Sequence, residues 1–83
     1  MNYAEYKKAL IANNINATEN QLALLAKLDR SDAFAKTHPE YYEARLAIRI
    51  QNGLTKQSVS KSISGLIDAA NLGRMNALAA LYA

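Results

Sequence analysis

The sequence predicts an all-α fold, a compact bundle of four to five short helices with no sheet, on three observations. Sixteen alanines and eleven leucines stand against one valine, one phenylalanine and no tryptophan. Helix formers therefore dominate, and strand formers are scarce apart from isoleucine and tyrosine. No stretch alternates strictly between apolar and polar residues over a strand's length. Apolar residues recur instead at helical spacing in successive segments. With 83 residues the chain reads as a single helical domain over 1–83, with one small core and little room for a deep cleft.

The first helix is predicted over about 3–12, with Tyr3, Tyr6 and Leu10 on one side and Lys7 and Lys8 away from it. Asn13-Asn14-Ile15-Asn16 breaks it, because asparagine competes for backbone hydrogen bonds and suits turns. Thr18 with Gln21 then reads as a capping box. The helix it opens, about 19–30, spaces Leu22, Leu25 and Leu28 by threes, and Lys27 and Arg30 suit its negative end. Ser31-Asp32 is a second capping signal, before a short helical piece around 33–35.

Pro39 belongs in a helical first turn, where its missing N–H costs nothing. A helix over 39–51 follows, burying Tyr42, Leu46 and Ile50 and ending at Asn52-Gly53, where glycine can adopt a left-handed cap. Of the adjacent rings Tyr41 and Tyr42, one is expected inside and one outside. Thr55 caps the next helix, about 56–70, whose stripe is Val59, Ile63, Leu66, Ile67 and Ala70. Asn71-Leu72-Gly73 is expected to interrupt it. A last helix over 74–82 would turn Met75, Leu78 and Leu81 or Tyr82 inward, closing the core or meeting a second subunit.

The chain has no cysteine, which leaves no disulfide framework, thiolate zinc site or cysteine nucleophile. No run of about 18 apolar residues occurs, and Met1–Glu5 lacks a basic region followed by an apolar block. A cytoplasmic protein with no membrane partner is expected. Catalysis is not expected. His38 is the single histidine, beside a proline at a helix start, with only Glu40 and Glu43 near as partners, so a capping or exposed role outweighs a general base. Asp29/Asp32 and Glu40/Glu43 read as solvated helix-terminal pairs. Gly53, Gly65 and Gly73 stand too far apart for a phosphate loop, and no metal-ligand spacing is present, so no cofactor or metal is expected.

Charge is uneven. The net charge is +3, and residues 44–83 contribute Arg45, Arg49, Lys56, Lys61 and Arg74 against Asp68 alone. That skew favours an anionic partner. Opposite the apolar stripe of helix 56–70 lie Lys56, Gln57, Ser60, Lys61 and Ser64. Such a face suits the DNA major groove, which admits one helix, with Gln and Ser addressing base edges and Lys reaching phosphate or guanine. Serine is a mediocre helix former, so Ser58, Ser60, Ser62 and Ser64 in one helix ask for a reason. Groove contact is one. Close packing against another helix is the other, and Gly65, Ala69 and Gly73, spaced by fours, speak for it.

The stretch from Leu54 through Leu66 resembles the recognition helix of helix-turn-helix DNA-binding domains. Gly53, Val59 and Ile63 match the turn glycine and the aliphatic positions six and ten residues after it. Arg49 and Asn52 stand where the family carries a small and an aliphatic residue, roles Ala47 and Ile50 would fill only with a longer turn. The resemblance implies that Lys56, Gln57, Ser58, Ser60 and Lys61 face the groove. With Ser64, and with Arg45, Arg49 and Arg74 on phosphates, these are the candidate DNA-binding residues.

Two functions follow as expectations. One is a small homodimeric transcription regulator that places helix 56–70 in successive major grooves of double-stranded DNA. The other is a non-catalytic helical module, an accessory or inhibitor protein of the phage or plasmid type, that binds a protein target through Tyr41, Tyr42, Arg45 and the Gly65/Ala69/Gly73 line.

Overall fold

A computed structural model describes the backbone of residues 1–82 and all side chains but those of 74–78, 80, 82 and 83. Five helices follow one another without a strand among the described residues: α1 (Tyr3–Ala12), α2 (Glu19–Arg30), α3 (Phe34–Thr37), α4 (Tyr41–Asn52) and α5 (Lys56–Tyr82). The predicted all-α bundle is what forms.

Local chemistry sets most of the boundaries. Asn2 and Glu5 make a reciprocal capping box on α1, and Thr18 and Gln21 make the predicted one on α2, at 3.1 Å in both directions. Asp32 Oδ1 accepts the Phe34 N–H at 3.0 Å and opens α3. Pro39 and Glu40 form a turn, so α4 starts at Tyr41, two residues later than predicted. Gly53 ends α4 with φ +87°, a backbone that L side chains rarely adopt, and thus turns the chain toward α5. Thr55 Oγ1 accepts the Ser58 N–H at 3.1 Å as the cap of α5.

The core is a seam of α1, α2, α4 and the first half of α5. Tyr6 and Leu10 of α1, Leu22, Leu25 and Ala26 of α2, and Val59 of α5 are buried together, with Ile63 and Leu66 packed against them. Between α1 and α4 the seam is aromatic. Tyr42 lies 5.0 Å from Tyr6 and edge-on to Tyr41 at 5.3 Å, ring to ring. Both Tyr41 and Tyr42 are therefore inside, and the expected division into one buried and one exposed ring does not occur.

α4 also turns differently from its predicted stripe. Ile50 is exposed and Arg49 is buried, with 7% of its surface accessible. The reason is Asp29, expected to be solvated but only 1% exposed. Arg49 donates through Nη2 to Asp29 Oδ1 at 2.6 Å and through Nε to Oδ2 at 3.1 Å. Tyr6 donates its hydroxyl to Oδ2 at 2.5 Å, and Tyr41 donates to the Asp29 carbonyl at 2.9 Å. One carboxylate, accepting three hydrogen bonds, thus ties α1, α2 and α4 together. Burial, then the hydrogen bond to Asp29, pushes the Tyr6 phenol far above its usual range. Burial opposes the charge on Arg49, but the Asp29 hydrogen bond and charge outweigh it and raise its pKa.

α5 is the largest departure from the predicted boundaries. Asn71-Leu72-Gly73 does not interrupt it, and the predicted helices 56–70 and 74–82 are one helix of 27 residues. At 1.5 Å per residue it runs about 40 Å, most of the molecule's 47 Å length. A single Gly costs a helix about 1 kcal/mol, too little to end one with alanine and leucine on both sides. α2 has only 12 residues, so α5, which starts beside it, outruns it. Beyond the supported half, Ile67, Leu72 and Leu81 are exposed, Leu81 by 78%. Of the two alternatives expected to turn inward, Leu81 or Tyr82, Leu81 is outside. Arg74, Met75, Leu78 and Tyr82 lie outside the described side chains.

Candidate functional site

α5 rests on α2, and α4 rests on α1, while α4 and α5 scarcely touch. Val59, Ile63 and Leu66 point α5's apolar side at α2, which fixes the opposite side outward. Residues spaced i, i+1, i+4, i+5 and i+8 share one helical face. Lys56, Gln57, Ser60, Lys61 and Ser64 have this spacing, and all five are exposed. With Gln21 from α2 they line an open groove of about 970 Å³, whose far end carries Gly65 and Asp68.

The electrostatics of this face differ from those of the other basic residues. Neither Lys56 nor Lys61 belongs to an ion pair among the described residues. Lys56 stands in the first turn of α5, where the helix dipole adds positive potential, and Lys61 stands in the second. Asp68 bounds the positive stretch about two turns beyond Lys61.

The remaining candidates fall elsewhere. Arg49 is not a phosphate contact: its guanidinium is sealed in the Asp29 ion pair at 2.6 Å. Arg45 is half-buried between α3 and α4, with Nη2 3.6 Å from Asp32 and its guanidinium 5.3 Å from the Tyr41 ring centre. Its Nε is buried without a hydrogen-bond partner. Arg45 therefore does not join the α5 face. Ser58 borders the groove but is half-buried, and its hydroxyl is engaged with the Asn52 carbonyl at 3.1 Å, where it braces the turn. Arg74 lies outside the described side chains.

Among the described residues, the small-residue line is not closely packed, since a Cβ on Gly65 or Gly73 would meet nothing within 4 Å. The surface proposed for a protein target also loses its aromatic part, because Tyr41 and Tyr42 are core residues. Among the described residues, no three His, Asp or Glu side chains gather as a metal site. No helix there is long and apolar enough to cross a membrane.

Sequence reasoning missed Gln21 as part of the site. The capping box was legible, but its approach to α5 is a tertiary fact: Gln21 Nε2 donates to the Lys56 carbonyl at 3.4 Å. The assembled face is a cationic helix side bordering this open groove, with short hydroxyl and amide groups able to hydrogen-bond and to neutralise anions. No family model matches the chain, and comparison with curated proteins and with solved structures finds no match.

Proposed function

We propose that the protein binds double-stranded DNA through the N-terminal half of α5 and acts as a dimeric transcription regulator by occupying its site. The observation that carries this reading is the exposed row Lys56, Gln57, Ser60, Lys61 and Ser64, whose lysines are unpaired among the described residues. A helix of about 10–12 Å diameter fits a major groove about 12 Å wide. α5 offers that face without moving any other element, because α2 supports it from behind. Gln57, Ser60 and Ser64 would read base edges while Lys56 and Lys61 meet phosphate or guanine. The helix-turn-helix likeness adds Gly53 at the turn, with its positive φ, and Val59 in the core.

A dimer would place two such faces in grooves about 34–36 Å apart. Its seam falls to α5 beyond Leu66, where Leu72 is 59% exposed and Ile67 is also accessible. The same apolar residues favour the second reading, a helical module for a protein target. Salt separates the two. Two lysines per copy, four per dimer, give an expected log–log slope of roughly −3.6 for duplex binding. Titration of random-sequence duplex at two salt concentrations, with light scattering on the same samples, measures both slope and subunit number. Binding that ignores salt, or no binding at all, contradicts the DNA reading.

A further inference from the structure

We propose that Asn16 and Gln21, neither of them on the groove-facing row, are positioning residues that hold the first turn of α5 in its DNA-binding orientation; this rests on the duplex reading above. The first N–H groups of a helix have no partner within it. In α5 the Ser58 N–H is met locally by Thr55 Oγ1. The Lys56 N–H is met by Asn16 Oδ1 at 2.7 Å, from forty residues earlier in the chain. Gln21 Nε2 reaches the Lys56 carbonyl at 3.4 Å, and the Ile15 N–H donates to the Leu54 carbonyl at 3.0 Å. Two bonds from the α1–α2 connection and one from α2 thus clamp Leu54 and Lys56 at the entry to α5.

The clamp is itself rigid. Asn14 closes its loop by two bonds of 2.7 Å, donating from Nδ2 to the Ala17 carbonyl and accepting the Ala17 N–H. That fixes the reach of Asn16. α4, the preceding helix in the chain, contributes chiefly the Ser58 hydroxyl bond across the turn and little packing. The start of α5 is therefore oriented by a distant loop, and Lys56 and Gln57 depend on it more than Lys61 and Ser64, which sit over Ile63 and α2.

The test is a double-mutant cycle on the full chain with random-sequence duplex. Asn16→Ala is expected to weaken binding about five- to tenfold, the worth of one hydrogen bond. It should also reduce the salt slope by about 1.8, the share of the two Lys56 phosphate contacts in a dimer. In a Lys56→Ala background the same substitution is expected to change affinity less than twofold, a non-additivity that general loss of stability would not produce. Parent-like binding by Asn16→Ala, or losses that simply add, overturns the proposal. Amide hydrogen exchange without DNA gives a second reading. Asn16→Ala should speed exchange at Lys56 at least tenfold and leave Ser64 unchanged, and unchanged exchange at Lys56 overturns the proposal. A parent protein that fails to bind duplex, together with accelerated exchange in the variant, places the failure in the DNA reading and keeps the clamp.

Discussion

Asp29→Ala is expected to lower the unfolding free energy by about 3–5 kcal/mol, the usual cost of removing one partner from a buried ion pair. Domains of this size have roughly 5–10 kcal/mol in total, so the variant should lose about half of its stability and unfold at a markedly lower urea concentration. The physical reason is the charge left behind. Arg49 would remain inside with its two bonds to the carboxylate gone, and the Tyr6 hydroxyl would lose its acceptor. Lost packing is a smaller part, since Asp to Ala removes few atoms. Urea denaturation followed by circular dichroism checks the magnitude. Removing both charges, as in Asp29→Leu with Arg49→Met, is expected to recover most of the loss, because apolar groups of similar volume replace buried pairs at little cost. A single-variant loss below about 1 kcal/mol would be the value of a solvated surface pair and would contradict the burial of this network.

Lys61→Glu is expected to abolish duplex binding at physiological salt while leaving the far-ultraviolet circular dichroism of the parent. The side chain is exposed and in no ion pair among the described residues, so reversing it should change stability by no more than about 0.5 kcal/mol. For binding, the change removes a phosphate contact and sets a carboxylate against the polymer's charge. Lys8→Glu makes the same charge change on the exposed side of α1 and is the control. It should reduce affinity far less, through net charge alone. Equal losses in the two variants would mean that overall charge, and no particular face, governs binding.

Much of the fold was legible because it is decided locally. The Thr18/Gln21 capping box, the glycine turn at Gly53 and the Thr55 cap are read from neighbouring residues, and all three form. The stripe of α5 through Val59, Ile63 and Leu66 was likewise visible in its spacing. What was missed depends on pairs remote in sequence. Asp29 stands four residues after Leu25, and Arg49 seven after Tyr42, so each falls on an inward face. Hydropathy alone assigns both to water. Only their meeting, twenty residues apart, makes burial tolerable, and it turns Ile50 outward. The signal was present as two opposite charges on two inner faces.

The candidate site divides the same way. Lys56, Gln57, Ser60, Lys61 and Ser64 followed from one helix's periodicity and are exposed together. Arg45 and Arg49 were chosen for charge alone, and the fold uses them on aromatic rings and a buried carboxylate. Gln21 and Asn16 needed the approach of α2 and its leading loop to α5, which no local pattern encodes. The Asn71–Gly73 break failed for a different reason: the helix propensity of the alanines and leucines around it outweighs one glycine and one asparagine.

Amide chemical-shift mapping of the protein titrated with a short random-sequence duplex tests the DNA-binding face most directly. Shifts are expected to concentrate at Gln21, Lys56, Gln57, Ser60, Lys61 and Ser64, with the α1 surface around Lys7 and Lys8 unmoved. A saturated titration that leaves the α5 amides in place, or moves those of α1 instead, would contradict the assignment of this helix to the groove.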